Sequence, residues 1–283
     1  MVENNVNNSE VKLPKFEHIE IVRDPENYVT TVIMNHPPIN PNDKRVNTMG
    51  PNLVEELKII PEIFRYDLNT RVIILKGSNN CFSSGADLMG TTSEEASPWF
   101  TKQFVSRQTR VFKSFRDLGK PVIAAIEGFT AGAGFELALN CDLRYAKETA
   151  SFCFGEILIG MFPGNAGSHL LARHVGLGRA MEIILTGKVI SAQKAFEIGL
   201  ANDTFKGERF EKRVYKIAKS LAKNSAPIAV GIAKQIVNFS NSIPLDVGLE
   251  LDAYGFGVVS STEDYKEGIT AMWEGRSPNY KNK

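Results

Sequence analysis

The sequence predicts an α/β fold with a helical C-terminal third, and two observations support this prediction. Short apolar runs rich in β-branched residues alternate with stretches in which apolar residues recur every three or four positions, the pattern of βαβ units. From about residue 178 onward the strand-type runs disappear and only helical spacing remains. We therefore expect helices covering a mostly parallel sheet, followed by helices alone.

The elements of the first half follow one another in a regular alternation. Apolar runs predict a hairpin over 19–23 and 29–35 and strands over 71–77, 121–128 and 142–146. Helical spacing predicts helices over 48–66 and 94–118, and a short helix that begins near Ala133 after the turn 129–134. In the C-terminal third the same spacing predicts helices over 178–186, 191–198, 208–223, 227–240 and 243–275.

Composition excludes several classes of protein. The 283 residues carry 33 basic and 32 acidic side chains, a net charge of +1, so the chain has no global electrostatic signature of nucleic-acid binding. No run approaches 18 apolar residues, which predicts no membrane span. The three cysteines lack CxxC spacing, which favours a reducing compartment, and we expect a cytoplasmic protein without a metal site. The polar residues 1–14 are expected to form a flexible tail.

Two loops are candidates for ligand contact because small residues follow a strand in each: residues 83–88 and 130–137. Small residues let a ligand approach the backbone, and unpaired N–H groups at a helix start attract an oxygen that gains negative charge. The expected donors are the N–H groups of Ala86 and Ala133. Taken alone, such a Gly/Ala-rich loop more often reflects a tight turn or close helix packing than a ligand site.

Glu136 and Glu156 are the acidic residues that stand out. Glu136 is predicted in the first turn of the helix near Ala133, where it is either a carboxylate that complements the helix dipole or a buried acid with a raised pKa. Glu156 stands within an apolar stretch, where a charge needs a partner, solvent or a use. Two carboxyl groups beside an oxyanion site suit proton transfer at a carbon next to a carbonyl.

Other catalytic patterns are absent from the sequence. There is no GxSxG nucleophile elbow, no HExxH, no P-loop and no GxGxxG after a strand. The sequence therefore favours acyl chemistry through an enolate over serine hydrolysis, metal catalysis or dinucleotide chemistry.

These motifs resemble the enoyl-CoA hydratase/isomerase, or crotonase, family over roughly residues 19–281. The resemblance rests on FSSGADL at 82–88, the stretch 120–146, FGEILIGMFPG at 154–164, the stretch 185–202 and EGRSPNYK at 274–281. It implies a spiral of ββα units, with a crotonase-like core over 15–205 and a C-terminal helical trimerisation region over 206–283. It also implies a homotrimer or a hexamer made of two trimers.

The resemblance further implies a site for an acyl-CoA thioester. The thioester oxygen would be held by the N–H groups of Ala86 and Ala133, Glu136 would hold or activate water, and Glu156 would exchange the proton at the α-carbon. The implied substrate and CoA contacts are Ser84, Ala86, Asp87, Leu88, Met89, Ala133 and Gly164, the last at the start of a helix on the water side. Coenzyme A is part of the substrate, and no further cofactor is implied.

The chain departs from the family pattern at several of these positions. Met89 stands where the family often has Lys, and PGNAGSHLL at 163–171 replaces the common PGAGGTQRL, so Asn165 and His169 are unusual. The loop 39–43 also differs. We expect these differences to alter CoA contact or acyl specificity, for example toward a branched or cyclic acyl group.

The implied activity is addition of water across the α,β double bond of a 2-enoyl-CoA, or the reverse reaction. A double-bond isomerase and a thioesterase on the same fold are alternatives, and the presence of both glutamates favours the hydratase. A binding protein of this fold, acting on RNA or as a scaffold, is an alternative of another class, which the near-zero net charge disfavours.

Overall fold

The computed structural model describes residues 12–38, 46–87 and 97–283, and these residues form two sheets with helices packed around them. The strands are β1 (Ile19–Asp24), β2 (Val29–Met34), β3 (Val72–Gly77), β4 (Val122–Ile126), β5 (Phe129–Ala131), β6 (Leu143–Lys147), β7 (Ser151–Cys153), β8 (Ile190–Ser191) and β9 (Asp203–Phe205). The helices are α1 (Pro51–Phe64), α2 (Pro98–Arg116), α3 (Gly132–Leu139), a 3₁₀ helix (Gly155–Ile159), α4 (Gly167–Val175), α5 (Leu177–Thr186), α6 (Ala192–Glu197), α7 (Arg209–Asn224), α8 (Pro227–Phe239), α9 (Leu245–Ser260) and α10 (Glu263–Glu274).

The main sheet has the order β1-β2-β3-β4-β6-β9. The hairpin β1-β2 is antiparallel, and every other neighbouring pair in this sheet is parallel. This confirms the α/β fold class, the opening hairpin and the parallel crossovers that the sequence predicts.

Strand β3 shows why the central strands read as continuous apolar runs. Val72 and Ile74 pack on one face of the sheet, against α7, while Ile73 and Leu75 belong to the larger core on the other face, with α1 and α2. A strand that is covered on both faces needs apolar residues at every position. The carboxyl ends of these parallel strands carry the loops that form the candidate site.

The second, smaller sheet corrects the prediction of a simple turn over 129–134. Residues 129–131 form β5, which pairs in parallel with β7, and β7 pairs with β8 in antiparallel orientation. These strands have two or three residues each, too few for an alternating pattern to be visible in the sequence. Their pairing comes from contacts between distant parts of the chain.

The C-terminal third also differs from its prediction in two ways. The strand signal does not end at residue 178, because β9 extends the main sheet along β6. The predicted helix over 243–275 is two helices, since α9 ends at Ser260 and the Thr262 side chain accepts the N–H of Tyr265 to start α10. No helix among the described residues is long and apolar enough to cross a membrane.

Candidate active site

The two loops chosen from the sequence lie side by side at the carboxyl ends of β3 and β4. Ser83 and Thr130 form an isolated parallel bridge, and the Ala131 N–H donates to the Ser83 carbonyl at 3.0 Å. A Cβ atom placed on Gly134 would lie 2.3 Å from Ser83 Cβ, so the contact requires glycine at that position. The start of α3 is therefore pressed against the loop that follows β3.

Gly85 and Gly132 mark the place where the loops touch. Gly132 has a φ of 45°, and a Cβ placed on it would lie 3.8 Å from Gly85 Cα. Ala86 and Ala133 each follow one of these glycines. Among the hydrogen bonds of the described residues, neither the Ala86 N–H nor the Ala133 N–H donates to a protein acceptor. Two adjacent unpaired amides are the arrangement that can hold a developing oxyanion.

Glu136 lies in α3 and is 1% exposed. It is the fifth residue of that helix, which corrects the prediction that it lies in the first turn. Its Oε1 accepts the backbone N–H groups of Asn165 at 2.6 Å and of Gly167 at 3.0 Å. Its Oε2 accepts the Asn165 side-chain amide, Nδ2, at 3.0 Å. The carboxyl group is therefore anchored to the loop before α4.

Ala166 explains how two neighbouring amides reach one oxygen. This residue adopts the left-handed conformation, with a φ of 71°, immediately before α4 begins. The turn brings the N–H groups on either side of it, those of Asn165 and Gly167, onto Glu136 Oε1. Such a conformation costs a non-glycine residue about 1–2 kcal/mol, and the two bonds to the carboxyl group offset that cost.

Burial dominates the titration of Glu136. Loss of solvation raises its pKa to about 7, although hydrogen bonds from Asn165 and Gly167 act in the opposite direction. A negative charge on Glu156 raises the pKa of Glu136 further. Glu136 is thus a buried acid, the second of the two interpretations that the sequence left open.

Glu156 lies in the 3₁₀ helix and is only half-buried. Burial raises its pKa, and its Oε2 is buried without a hydrogen-bond partner among the described residues. A Cβ placed on Gly132 would lie 3.1 Å from Glu156 Oε1, which sets this carboxyl group beside the loop that carries the Ala133 amide. Glu156 therefore lies beside the start of α3, the helix that carries Glu136.

The remaining predicted contact residues lie around these loops. Ser84 is half-buried and bonded through its hydroxyl to the backbone of Val46, and Asp87 lies against Gly50. Leu88 and Met89 lie outside the described residues. Gly164 is exposed and lies three residues before α4, so the prediction that it starts a helix is wrong.

Three residues at the site went unassigned in the sequence analysis: Asn165, Gly167 and Gln108. Gln108 Oε1 accepts the Asn165 side-chain amide at 2.8 Å, and both residues are buried. Asn165 was noted only as an unusual residue. Gln108 had a visible signal, because it occupies the apolar stripe of α2 between Phe104 and Val111, where a polar residue needs a buried partner.

A cavity of about 500 Å³ lies elsewhere, between the end of α3 and α8. Two of its charged groups are bonded within the protein: Lys234 pairs with Asp142 at 2.7 Å, and Arg116 donates to Asn238. Among the described residues no group of three or more His, Cys, Asp or Glu side chains could hold a metal ion. The region between the glutamates is therefore the stronger candidate for chemistry.

The fold and this region define the class: an α/β protein with a candidate acid–base site where strand ends meet. The family model for enoyl-CoA hydratase/isomerase matches residues 29–283. The chain belongs to this family, also called the crotonase family.

Two relatives and one solved structure show the extent of the similarity. The chain is 35% identical to mitochondrial enoyl-CoA hydratase of Pongo abelii, over 92% of this chain and 86% of the relative. It is 33% identical to 2,3-dehydroadipyl-CoA hydratase of Escherichia coli, over 84% of this chain and 89% of that one. The crystal structure of enoyl-CoA hydratase from Bacillus anthracis superposes with a TM-score of 0.86 at 33% identity, covering 94% of this chain and all of that one.

Proposed function

We propose that this protein is a 2-enoyl-CoA hydratase that adds water reversibly across the α,β double bond of an acyl-CoA thioester. The observation that supports the proposal is the position of Glu156 beside the Ala133 loop, at the start of the helix that carries Glu136, with two adjacent unpaired amides close by. The names of the relatives point to the same activity. Hydration is favoured over other reactions of the family because it uses two acid–base groups.

In the proposed step each proton has a named carrier. The Glu136 carboxylate takes a proton from water as the water oxygen bonds to the β-carbon, and the electrons of the double bond move onto the thioester oxygen as an enolate. Glu156 then gives its proton to the α-carbon, which completes the addition of one water molecule. Exchange with solvent returns Glu136 to its carboxylate and Glu156 to its acid form.

The surroundings of the two acids support this division of roles. Three N–H donors favour the charged form of Glu136, and at pH values above about 7 the carboxylate predominates despite its burial. Glu156 has a buried oxygen with no donor among the described residues, which favours the neutral acid. The donors on the Glu136 carboxyl, and their absence from Glu156 Oε2 among the described residues, therefore support a base role for Glu136 and an acid role for Glu156.

The backbone amides of Ala86 and Ala133 would hold the thioester oxygen. Their hydrogen bonds strengthen as that oxygen becomes an enolate, so they stabilise the transition state more than the bound substrate. The proposed chemistry needs neither a metal ion nor a redox cofactor, because charge develops on one oxygen and the protons move between carboxyl groups. Coenzyme A enters as part of the substrate.

The experiment that tests the proposal is a comparison of enoyl-CoA thioesters as substrates. Purified protein is mixed with linear, branched and cyclic-diene 2-enoyl-CoA thioesters and with a dicarboxylic one, since one relative is named for 2,3-dehydroadipyl-CoA. Loss of the conjugated enoyl absorbance together with formation of a 3-hydroxyacyl-CoA supports hydration. Conversion of a 3-enoyl-CoA to its 2-enoyl isomer without hydration, or release of free CoA thiol, would replace the proposal with isomerase or thioesterase activity.

We also propose that the C-terminal helices assemble the chain as a trimer or as two stacked trimers. Neither α8 nor α9 has a buried residue, and α9 exposes large apolar side chains: Leu245, Val247, Leu249, Leu251, Tyr254, Phe256 and Val258. An exposed apolar surface of this extent is typical of an interaction site, and contact with further copies of the chain would bury it. Light scattering coupled to size-exclusion chromatography gives the particle mass, and a monomer at micromolar concentration would overturn the assembly.

A further inference from the structure

We propose that Asn165 is a positioning residue that fixes the Glu136 carboxylate so that a single acceptor site on Oε2 remains for the reacting water. The inference rests on the proposed hydratase function for its kinetic consequence. The bonds that carry it are present without a substrate.

The hydrogen-bond capacity of Glu136 is almost filled by the protein. Oε1 accepts two backbone N–H groups, those of Asn165 and Gly167, which uses both of its lone pairs. Oε2 accepts one N–H, from Asn165 Nδ2. Among the described residues no other group donates to Oε2, so one of its lone pairs remains as an acceptor site, and its direction is set by the Asn165 side chain.

The orientation of the Asn165 amide is itself determined by a buried chain of donors and acceptors. Gln108 Nε2 donates to the Met49 carbonyl at 3.3 Å, which turns Gln108 Oε1 toward Asn165. Asn165 Nδ2 then gives one hydrogen to Gln108 Oε1 at 2.8 Å and the other to Glu136 Oε2 at 3.0 Å. Every N–H of this amide has a partner, so a flipped amide would place an oxygen against two acceptors.

The carbonyl oxygen of the Asn165 side chain also has a contact within the protein. Its Oδ1 lies 3.1 Å from the Thr109 hydroxyl, on the same helix as Gln108. Asn165 is 6% exposed, and both of its amide hydrogens are used within the protein, so its side chain has no donor left for the acyl group. Its effect on the reaction must pass through Glu136.

Among the described residues, no charged side chain forms an ion pair with Glu136. The field that acts on Glu136 from a neighbouring element is that of Glu156 on the 3₁₀ helix. On α4, His169 is exposed and His174 faces Arg144. On α2, Arg107 pairs with Glu55. Removal of the Asn165 side chain therefore changes the hydrogen bonding of Glu136 without removing an ion pair from it.

The test compares the wild type with Asn165→Ala and with Asn140→Ala as a matched control. Asn140 is equally buried and also bonds to Glu136, but its side chain donates to the backbone carbonyl of Glu136 at 2.9 Å and leaves the carboxyl group alone. Two properties are measured in each protein: the pKa of Glu136, from the ¹³C resonance of its carboxyl carbon assigned with Glu136→Gln, and the pH profile of kcat and KM.

We expect Asn165→Ala to raise the pKa of Glu136 by about one to two units, the size of one charge-assisted hydrogen bond. At pH 7 kcat should fall about ten-fold with KM changed less than about two-fold, and activity should recover toward high pH. Asn140→Ala should lower stability without moving either the pKa or the profile. Should Asn165→Ala not fold, Gln108→Leu, which keeps the side-chain volume, is expected to move the pKa in the same direction by a smaller amount.

An unchanged pKa of Glu136 in both Asn165→Ala and Gln108→Leu would overturn the proposal, as would equal shifts in Asn165→Ala and Asn140→Ala. The NMR titration needs no substrate, so it tests the positioning role of Asn165 separately from the proposed hydratase function. A shifted pKa in a protein that hydrates no enoyl-CoA would retain the positioning role and reject the proposed function.

Discussion

Glu136 and Glu156 carry the same side chain in two very different surroundings. Glu136 is enclosed by α3 and the start of α4, with three N–H donors on its carboxyl group. Glu156 lies on a short 3₁₀ helix whose next residues, Ile157, Leu158 and Ile159, are exposed. The comparison teaches that burial and hydrogen bonds can give two identical carboxyl groups different pKa values and different freedom of orientation.

The largest expected effect comes from removing each carboxyl group in turn. Glu136→Gln and Glu156→Gln should each lower kcat for hydration by about 10²- to 10⁴-fold, the usual contribution of a positioned acid or base. The loss is measured from the steady-state decrease of the enoyl absorbance, with the enoyl-CoA thioester that the wild type hydrates fastest. Unchanged turnover in either variant would contradict the role assigned to that residue.

A second assay sharpens the comparison between the two acids. With the proposed roles, exchange of the α-hydrogen of a saturated acyl-CoA with deuterated water would need Glu156 and the two amides but no water addition. Glu136→Gln should therefore retain more of this exchange than Glu156→Gln does. An equal loss of α-hydrogen exchange in both variants would show that both carboxyl groups take part in proton transfer at the α-carbon.

The next effect concerns the contact that holds the two loops together. Gly134→Ala places a Cβ 2.3 Å from Ser83 Cβ, so the loops must separate and the Ala86 and Ala133 amides must diverge. We expect unfolding to be easier by up to about 3 kcal/mol and kcat to fall more than about ten-fold. Gly178→Ala is the control, since Gly178 is also helical and a Cβ on it meets no atom within 4 Å. Equal changes in stability and kcat for the two substitutions would show that the close contact between Gly134 and Ser83 is not required for either property.

A smaller effect is expected in the pH dependence of stability. The folded-state pKa of Glu136, about 7, exceeds its ordinary value, so the folded protein holds this proton more tightly and loses stability as pH rises from about 4.5 to 7. Glu136→Gln removes this titration. Between pH 5 and pH 8 the free energy of unfolding of the variant should gain about 2 kcal/mol relative to wild type. Urea unfolding at both pH values measures the change, and Glu156→Gln, at a half-buried position, should show a smaller one.

The smallest expected effect is at Ala166, on the Glu136 side of the comparison. Ala166→Gly relieves the left-handed strain at a φ of 71°, while glycine makes the unfolded chain more flexible. The net change should be a gain of less than about 1 kcal/mol, with kcat unchanged because both backbone amides still reach Glu136. A loss of stability in urea unfolding would indicate that the conformation of this turn is not strained.

Much of the architecture could be predicted because it depends on local patterns. The continuous apolar run of β3 and the four-residue spacing of α1 are visible in the sequence, and both elements have the predicted type. The short strands β5, β7 and β8 could not be predicted, since two or three residues carry no period and form strands only when they meet. The end of α9 was missed because Thr262 was not recognised as a helix cap.

By itself, the sequence determined the α/β class, the family resemblance and the two glutamates as candidates, because each depends on residue types at short spacings. Only the tertiary structure decided the surroundings of those glutamates. Gln108, Glu136 and Asn165 come from α2, α3 and the loop before α4, and packing of those elements makes them one hydrogen-bonded group. Burial and donor geometry set a pKa, and both arise from residues that are distant in the chain.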